Sequence, residues 1–175
     1  MRISEILKSN KPSLSIEVFP PKTDTALESV ELAVREIAAL KPSFMSVTYG
    51  AGGGTSQYTA KIAKEIMTDY NVTALAHLTC VSSTREGLHK QVELLKQNGI
   101  ENVLALRGDI PESKMNEDRS KWDFRHATDL VTELKNLGTP FCIGGACYPE
   151  KHPESKDKVE DIKYLKEKAD LGCEF

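Results

Sequence analysis

The feature that most constrains the fold is a regular alternation of short apolar runs with longer amphipathic segments. An apolar run of four to eight residues is typical of a buried strand, and a longer segment with apolar residues at helical spacing is typical of a helix. The alternation therefore predicts strands followed by helices in repeated βα units. The predicted strands are 14–19, 44–49, 72–78, 102–108 and 140–148, and the predicted helices are 25–40, 56–69, 84–98, 125–137 and 157–171.

The strands are apolar nearly throughout rather than alternating, which indicates burial on both faces and hence a parallel sheet. Gly99, Gly138 and Gly172 follow three predicted helices, at the position where glycine commonly ends a helix. Polar residues 111–125 are predicted to form a long loop where the strands end. Both a (β/α)8 barrel and an open doubly wound sheet begin this way, and periodicity does not distinguish them. We expect residues 1–175 to form a single domain.

Composition excludes several classes of function. With 39% hydrophobic residues and a formal net charge of -3, the chain can bury a core but lacks the basic excess of a nucleic-acid binder. It has neither a run of about 20 apolar residues that could cross a membrane nor a secretion signal. No histidine pair or CxxC pair has the spacing of metal ligands. We expect a cytoplasmic protein with no metal and no nucleic-acid or membrane partner.

Glu17 is the most anomalous residue in a predicted strand, because Ile16, Val18 and Phe19 surround it with apolar groups. We expect its carboxyl group to be buried or half-buried. Burial favours the protonated form of a carboxyl group, and such an acid is suited to proton transfer near neutral pH. The alternative is a glutamate that points outward from an edge strand.

Other polar groups also follow strands. His77 in its apolar strand is either a packed core group or a ligand-binding residue. In 107–109 the sequence is RGD: glycine permits close approach of a planar ligand, and arginine can bind a pyrophosphate through paired donors. The glycine run at 51–54 matches no phosphate-binding motif and can equally be a flexible loop. Residues 148–153 (YPEKHP) form either a ligand-bordering segment or a structural turn fixed by two prolines.

Five strings, in order and at matching separations, resemble methylenetetrahydrofolate reductases: SIEVFPPK, KPSFMSVTYGAGG, AHLTC, NGIENVLALRGD and YPEKHPES. The resemblance implies an α/β fold of the TIM (β/α)8 barrel type, of which this chain supplies about the first five units. It also implies bound FAD, with NADH or NADPH as electron donor. The implied reaction converts 5,10-methylenetetrahydrofolate to 5-methyltetrahydrofolate in one-carbon metabolism and methionine synthesis. Because edges on strands 1 and 5 would be exposed, we expect a homo-oligomer.

The resemblance implies residue roles as well. Glu17 matches the general acid that assists opening of the folate's imidazolidine ring, with Val18 as a mild departure from the family motif. Asp109 matches an aspartate near the flavin and the folate pterin, and Thr48 lies near the nicotinamide. Glu167 stands where a basic residue is expected near the phosphates. The implied cofactor-binding positions are Thr48, Tyr49, Ala51, His77, Arg107, Gly108, Asp109, Ala127, Tyr148, His152, Ser155, Asp161, Tyr164 and Lys168, of which Ser155 replaces a small apolar residue.

Two other functions stay open at this point. The chain could bind flavin or a partner subunit without turnover, because five units do not close a barrel of eight. It could also belong to an unrelated barrel enzyme that binds phosphate. Bound flavin without nicotinamide oxidation would favour the first alternative, and an absence of copurifying flavin would favour the second.

Overall fold

A computed structural model describes residues 1–9, 11–21, 23, 26–49 and 56–175, apart from the side chain of Ser56. In this part of the chain five strands alternate with helices, which confirms the predicted α/β fold. The strands are β1 (Ser15–Val18), β2 (Phe44–Val47), β3 (Thr73–Thr79), β4 (Asn102–Leu106) and β5 (Cys142–Gly145). The helices are α1 (Ile3–Leu7), α2 (Leu27–Ala38), α3 (Ser56–Thr68), α4 (Arg85–Gln97), α5 (Ala127–Asn136) and α6 (Lys158–Leu171).

The strand order separates the two architectures that periodicity left open. All neighbouring strands are parallel, and the sheet order is β1-β2-β3-β4-β5. A doubly wound sheet reverses its order at a switch point, and this sheet has no such reversal among its five strands. The sequential order is consistent with part of a TIM-type barrel.

One face of the sheet packs against helices and forms the core. Because successive side chains of a strand point to opposite faces, every second strand residue belongs to this face, together with buried residues of α2, α3, α4 and α5. Burial on both faces, as predicted, is found for β3, in which residues 74–78 are all buried. The same prediction is wrong for β1, where Ser15 and Glu17 are exposed, because β1 is an edge strand. The strand residues of the core face are Val18, Met45, Val47, Ala74, Ala76, Leu78, Val103, Ala105 and Ile143.

The amino-terminal end of the opposite face is closed by α1, a helix that the sequence pattern did not predict. The buried side chain of Asn102 accepts a hydrogen bond from the backbone N–H of Ile3 at 2.8 Å. It also donates to the carbonyl of Met1 at 3.0 Å and to that of Ala74 at 3.1 Å. Ile3 is completely buried. The side-chain amide of Asn102 therefore links the start of α1 to β4 and β3.

The two edges of the sheet differ. On β5, the N–H of Glu174 donates to the carbonyl of Ile143 at 2.7 Å, and the N–H of Gly145 donates to that of Phe175 at 2.9 Å. The prediction of an exposed edge on β5 is therefore wrong at these residues. Within the described residues no strand pairs with the outer edge of β1, as predicted.

The predicted loop at 111–125 contains two short 3-10 turns, Glu112–Lys114 and Arg119–Lys121. The predicted helix ends are confirmed, since the glycines at 99, 138 and 172 have φ angles of 71°, 61° and 113°. None of the helices in the described part of the chain has the length and apolar character needed to span a membrane.

Candidate active site

Three polar side chains share the face of the sheet opposite the helices, near the carboxyl ends of β1, β2 and β3. Glu17 of β1 is the register partner of Ser46 in β2, and Ser46 is the partner of Leu75 in β3. His77 lies two residues beyond Leu75 and therefore points to the same face. The fold thus brings together residues that are separated by up to sixty positions in the chain.

The three side chains meet at one carboxyl oxygen. The hydroxyl of Ser46 donates a hydrogen bond to Oε2 of Glu17 at 3.3 Å, and Nε2 of His77 lies 3.4 Å from the same oxygen. We call Glu17, Ser46 and His77 the Glu17 group. Ser46 and His77 are buried, so their positions beside the Glu17 carboxyl group are fixed by packing.

Glu17 is about half-buried, the lesser of the two degrees of burial that the sequence predicted. Its side chain is 47% exposed, because β1 is an edge strand and only Val18 of β1 is buried among the helices. The structure agrees with the alternative, a glutamate that projects from an edge strand. The exposed carboxyl group is nevertheless held next to two buried polar side chains, so a molecule in contact with this face can reach it.

Burial favours the neutral form of His77. Burial lowers the pKa of its imidazole, and the nearby Glu17 carboxylate opposes that shift only in part. Its Nε2 atom is buried and makes no hydrogen bond with any described residue; the contact with Glu17 is close but lacks hydrogen-bond geometry. Because buried polar atoms are nearly always paired in folded proteins, this nitrogen is suited to a hydrogen bond with a ligand.

Gly108 fixes the path of the chain directly after β4. Its φ angle is +86°, and a Cβ atom at this position would lie 2.9 Å from Cβ of Thr79 and 3.1 Å from Cγ1 of Val81. Only glycine fits both requirements without strain. The next residue, Asp109, is exposed. Gly108 is thus required for packing against the end of β3 and the residues that follow it, and the approach of a planar ligand stays a prediction.

Arg107 links the end of β4 to the loop between β5 and α6. Its Nη1 atom lies 2.6 Å from Oε2 of Glu154. The hydrogen bond from Arg107 holds the pKa of Glu154 below its usual range, although partial burial opposes the shift. Glu154 was not singled out from the sequence, although it lies within the string YPEKHPES. The arginine predicted to bind a pyrophosphate therefore has a carboxylate as its partner.

The loop after β5 is held by one buried carboxylate. Asp161 accepts a hydrogen bond from the backbone N–H of His152 at 3.2 Å and another from the hydroxyl of Ser155 at 3.1 Å. The ring of Tyr148 packs edge to face with that of His152, with the centroids 5.0 Å apart. We call Tyr148, His152, Ser155 and Asp161 the loop network. Four sequence-predicted residues are thereby brought together.

The family model described as methylenetetrahydrofolate reductase matches residues 2–175. The chain belongs to the methylenetetrahydrofolate reductase family. The resemblance drawn from the five strings is therefore confirmed.

Individual relatives agree with this assignment. The chain is 38% identical to "Methylenetetrahydrofolate reductase 2" of Schizosaccharomyces pombe, covering 92% of this chain and 26% of the relative. It is 39% identical to "5,10-methylenetetrahydrofolate reductase" of Pectobacterium carotovorum subsp. carotovorum, covering 92% and 52%. It is 33% identical to "Methylenetetrahydrofolate reductase (NADH) 1" of Arabidopsis thaliana, covering 99% and 31%. The chain thus spans between about a quarter and about half of the length of these relatives.

The remaining positions that the reductase resemblance singled out lie at several places around the carboxyl ends. Thr48 directly follows β2, and its backbone N–H donates to the carbonyl of Val18 at 3.0 Å. Tyr49 packs against the core on the helix side, away from the Glu17 group. Ala127 is the first residue of α5. Ala51 lies outside the described residues.

Two further predicted residues lie on α6. Lys168 donates a hydrogen bond from Nζ to the carbonyl of Ala146, which ties α6 to the end of β5. Tyr164 is 49% exposed, and no hydrogen bond joins it to the loop network among the described residues. Lys168 thus reaches the carboxyl end of the sheet, whereas Tyr164 stays on the surface of the helix.

Proposed function

We propose that the polypeptide containing this chain reduces 5,10-methylenetetrahydrofolate to 5-methyltetrahydrofolate, with electrons from NADH or NADPH. The observation that carries the proposal is the Glu17 group: an exposed carboxyl group anchored beside a buried, unpartnered imidazole nitrogen in a chain of this family. The names of the relatives supply the substrate, and one of them names NADH.

The residues at the carboxyl ends fit a bound FAD. His77 offers a buried nitrogen without a partner, which would hydrogen-bond to the flavin ring. Arg107 carries a permanent positive charge and pairs with Glu154 of the loop between β5 and α6. Tyr148 presents a half-exposed ring in the same loop. These two side chains would contact the pyrophosphate and the ribose. When bound, FAD would supply the hydride-transfer chemistry. NADH and NADPH remain equal candidates as its electron donor.

The protein's own task in this reaction is to supply and direct a proton. Glu17 is exposed on the face opposite the helices, so a folate lying there can meet its carboxyl group directly. Glu17 must be protonated when the folate binds, and it donates the proton that assists opening of the imidazolidine ring. Asp109 adds a second exposed carboxyl group beyond the end of β4, where its charge would tune the flavin and contact the pterin.

The first test uses the full natural polypeptide. It should copurify with FAD and should convert 5,10-methylenetetrahydrofolate to 5-methyltetrahydrofolate when NADH or NADPH is supplied. Bound FAD without oxidation of either nicotinamide would contradict the reductase and favour a flavin-binding or assembly role. Purification without flavin, together with a failure to bind added FAD, would contradict the proposed cofactor and with it the proposed reaction.

Replacement of Glu17 by glutamine should separate the two half-reactions. Flavin reduction by the nicotinamide should stay nearly intact, while folate reduction should fall by about 10²- to 10⁴-fold, the usual contribution of a general acid. Stopped-flow absorbance measures both rates. The matched control is Glu101→Gln, which alters a glutamate paired with the amino terminus at the other end of the sheet. Equal impairment of both half-reactions in Glu17→Gln would refute the acid role.

A further inference from the structure

Ser46 is buried on β2, and its hydroxyl has one hydrogen-bond partner among the described residues. It is 7% exposed, and its hydroxyl donates to Oε2 of Glu17 at 3.3 Å. The two residues are register partners on adjacent strands, so the backbone of the sheet fixes the spacing between them. No motif in the sequence singled out this serine.

The contacts of Glu17 are asymmetric between its two carboxyl oxygens. Ser46 donates to Oε2, and His77 Nε2 also approaches Oε2, at 3.4 Å. No described residue is recorded as a partner of Oε1. A protonated carboxyl group carries its proton on one oxygen and accepts hydrogen bonds on the other. A donor fixed at Oε2 makes Oε2 the accepting oxygen and leaves the proton on Oε1.

We infer that Ser46 is a positioning residue for proton donation by Glu17. Its hydroxyl holds Oε2 and so directs the acidic proton on Oε1 away from the sheet, toward a folate on the exposed face. The inference rests on the proposed function. An exposed glutamate otherwise samples many rotamers, and the close contact with His77 lacks hydrogen-bond geometry. Ser46 is therefore the side chain that restricts the carboxyl group.

The test compares the two half-reactions in variants of the full natural polypeptide. In Ser46→Ala, folate reduction should slow by about tenfold, the upper end of what one hydrogen bond between neutral groups contributes. Flavin content and flavin reduction by the nicotinamide should not change. Ser46→Thr keeps the hydroxyl and should recover most of the rate. A purely structural role would not produce this split between half-reactions, nor the recovery.

The control substitution is Ser43→Ala. Ser43 lies just before β2, and its hydroxyl accepts a hydrogen bond from the N–H of Leu14 at 3.2 Å. It removes the same atom near the other end of the same strand and should leave both half-reactions unchanged. If Ser46→Ala fails to fold or to hold flavin, Ser46→Cys decides the question, because it keeps the size but donates poorly. Ser46→Cys should show the tenfold loss.

Each outcome separates this inference from the proposed function. If the unaltered protein reduces methylenetetrahydrofolate and Ser46→Ala or Ser46→Cys does so equally fast, the role of Ser46 is overturned and the proposed function stands. Equal slowing of both half-reactions in a folded, flavin-loaded variant also overturns it. If the unaltered protein does not reduce the folate at all, the proposed function and the inference both fail.

Discussion

The face of the sheet away from the helices has similar polar residue types at its two ends. They differ in whether the buried polar groups have hydrogen-bond partners. At the amino-terminal end, Asn102 makes three hydrogen bonds within the chain, and Ser4 donates to Glu174 at 3.0 Å. At the carboxyl-terminal end, His77 Nε2 and the hydroxyl of Ser82 are buried without a partner among the described residues. Glu17 and Asp109 are exposed there as well.

This difference indicates which polar groups serve the fold and which serve a ligand. A buried polar group left unpaired costs about 1–3 kcal/mol. At the amino-terminal end that cost is avoided by internal pairing, so the polar groups there stabilise the fold. At the carboxyl-terminal end the cost persists, as expected where a bound molecule supplies the missing partners. The comparison predicts different consequences for substitutions at the two ends.

Asn102→Ala should have the largest effect on stability. The change leaves the N–H of Ile3 and the carbonyls of Met1 and Ala74 without their partner. The free energy of unfolding should fall by about 3 kcal/mol, the cost of several unsatisfied buried groups, while the affinity for FAD of the folded protein should not change. Chemical denaturation and flavin titration measure the two quantities. A large loss of affinity without a loss of stability would break the comparison.

Gly108→Ala should come next, because this residue follows β4 and packs closely against Thr79 at the end of β3. The free energy of unfolding should fall by about 2 kcal/mol, since the substitution adds both a strained backbone and a clash with Thr79 and Val81. Gly138→Ala is the matched control: its φ angle is +61°, but nothing lies within 4 Å of an added Cβ. It should cost about 1 kcal/mol. Equal losses of unfolding free energy in the two variants would contradict a packing role for Gly108.

A paired carboxylate on the helix side provides a smaller, pH-dependent test. Glu133 of α5 lies 2.6 Å from Nε2 of His89 and contacts Arg85, both of α4. Burial opposes its ionisation, but the hydrogen bonds from His89 and Arg85 outweigh that effect and lower its pKa. The resulting stability is therefore present above pH 4.5, the unperturbed value, and is lost as pH falls through the lowered pKa.

Glu133→Gln should accordingly reduce the free energy of unfolding at neutral pH by about 1 kcal/mol, because solvent screens the half-exposed partners. The difference from the unaltered protein should shrink below pH 4.5. Glu93→Gln, which alters an exposed pair with Lys96 on α4, should change little at any pH. If the loss of stability in Glu133→Gln became larger as the pH fell, the predicted direction of the pH dependence would be contradicted.

His77→Leu should have the smallest effect on stability. Replacing a buried polar group that has no partner by an apolar side chain of similar size is close to neutral or stabilising. The affinity for FAD should nevertheless fall, because the nitrogen offered to the flavin is removed. Denaturation and flavin titration on the same sample test both statements. A loss of stability as large as that of Asn102→Ala would show that His77 is an ordinary core residue.

Periodicity predicted the order and type of the main elements, because strand and helix patterns are local. It did not show how much of Glu17 the neighbouring residues cover, so burial and half-burial were both expected, and the side chain is 47% exposed. Ser46 was not recognised because its contact with Glu17 depends on a register between residues 29 positions apart. The five-residue helix α1 is too short for a periodic signal, and its anchor Asn102 lies 99 positions from Ile3.

Gly108 shows what a local string does not reveal. The RGD string predicted close approach of a ligand, which stays a prediction, whereas the tight packing of Gly108 against Thr79 and Val81 depends on residues about 30 positions away. The family resemblance singled out Asp161 as a cofactor-binding position, which stays a prediction, whereas by local pattern its charged side chain resembles any solvated helix position. In the structure Asp161 is buried and holds the loop network.

The most direct test of the account is a structure of the full natural polypeptide with FAD bound. We predict that the flavin ring lies beyond the carboxyl ends of the strands, within about 3.2 Å of His77 Nε2, while the three hydrogen bonds of Asn102 stay as they are. A flavin held at the amino-terminal end or against the helices, with His77 Nε2 still unpartnered, would contradict the account.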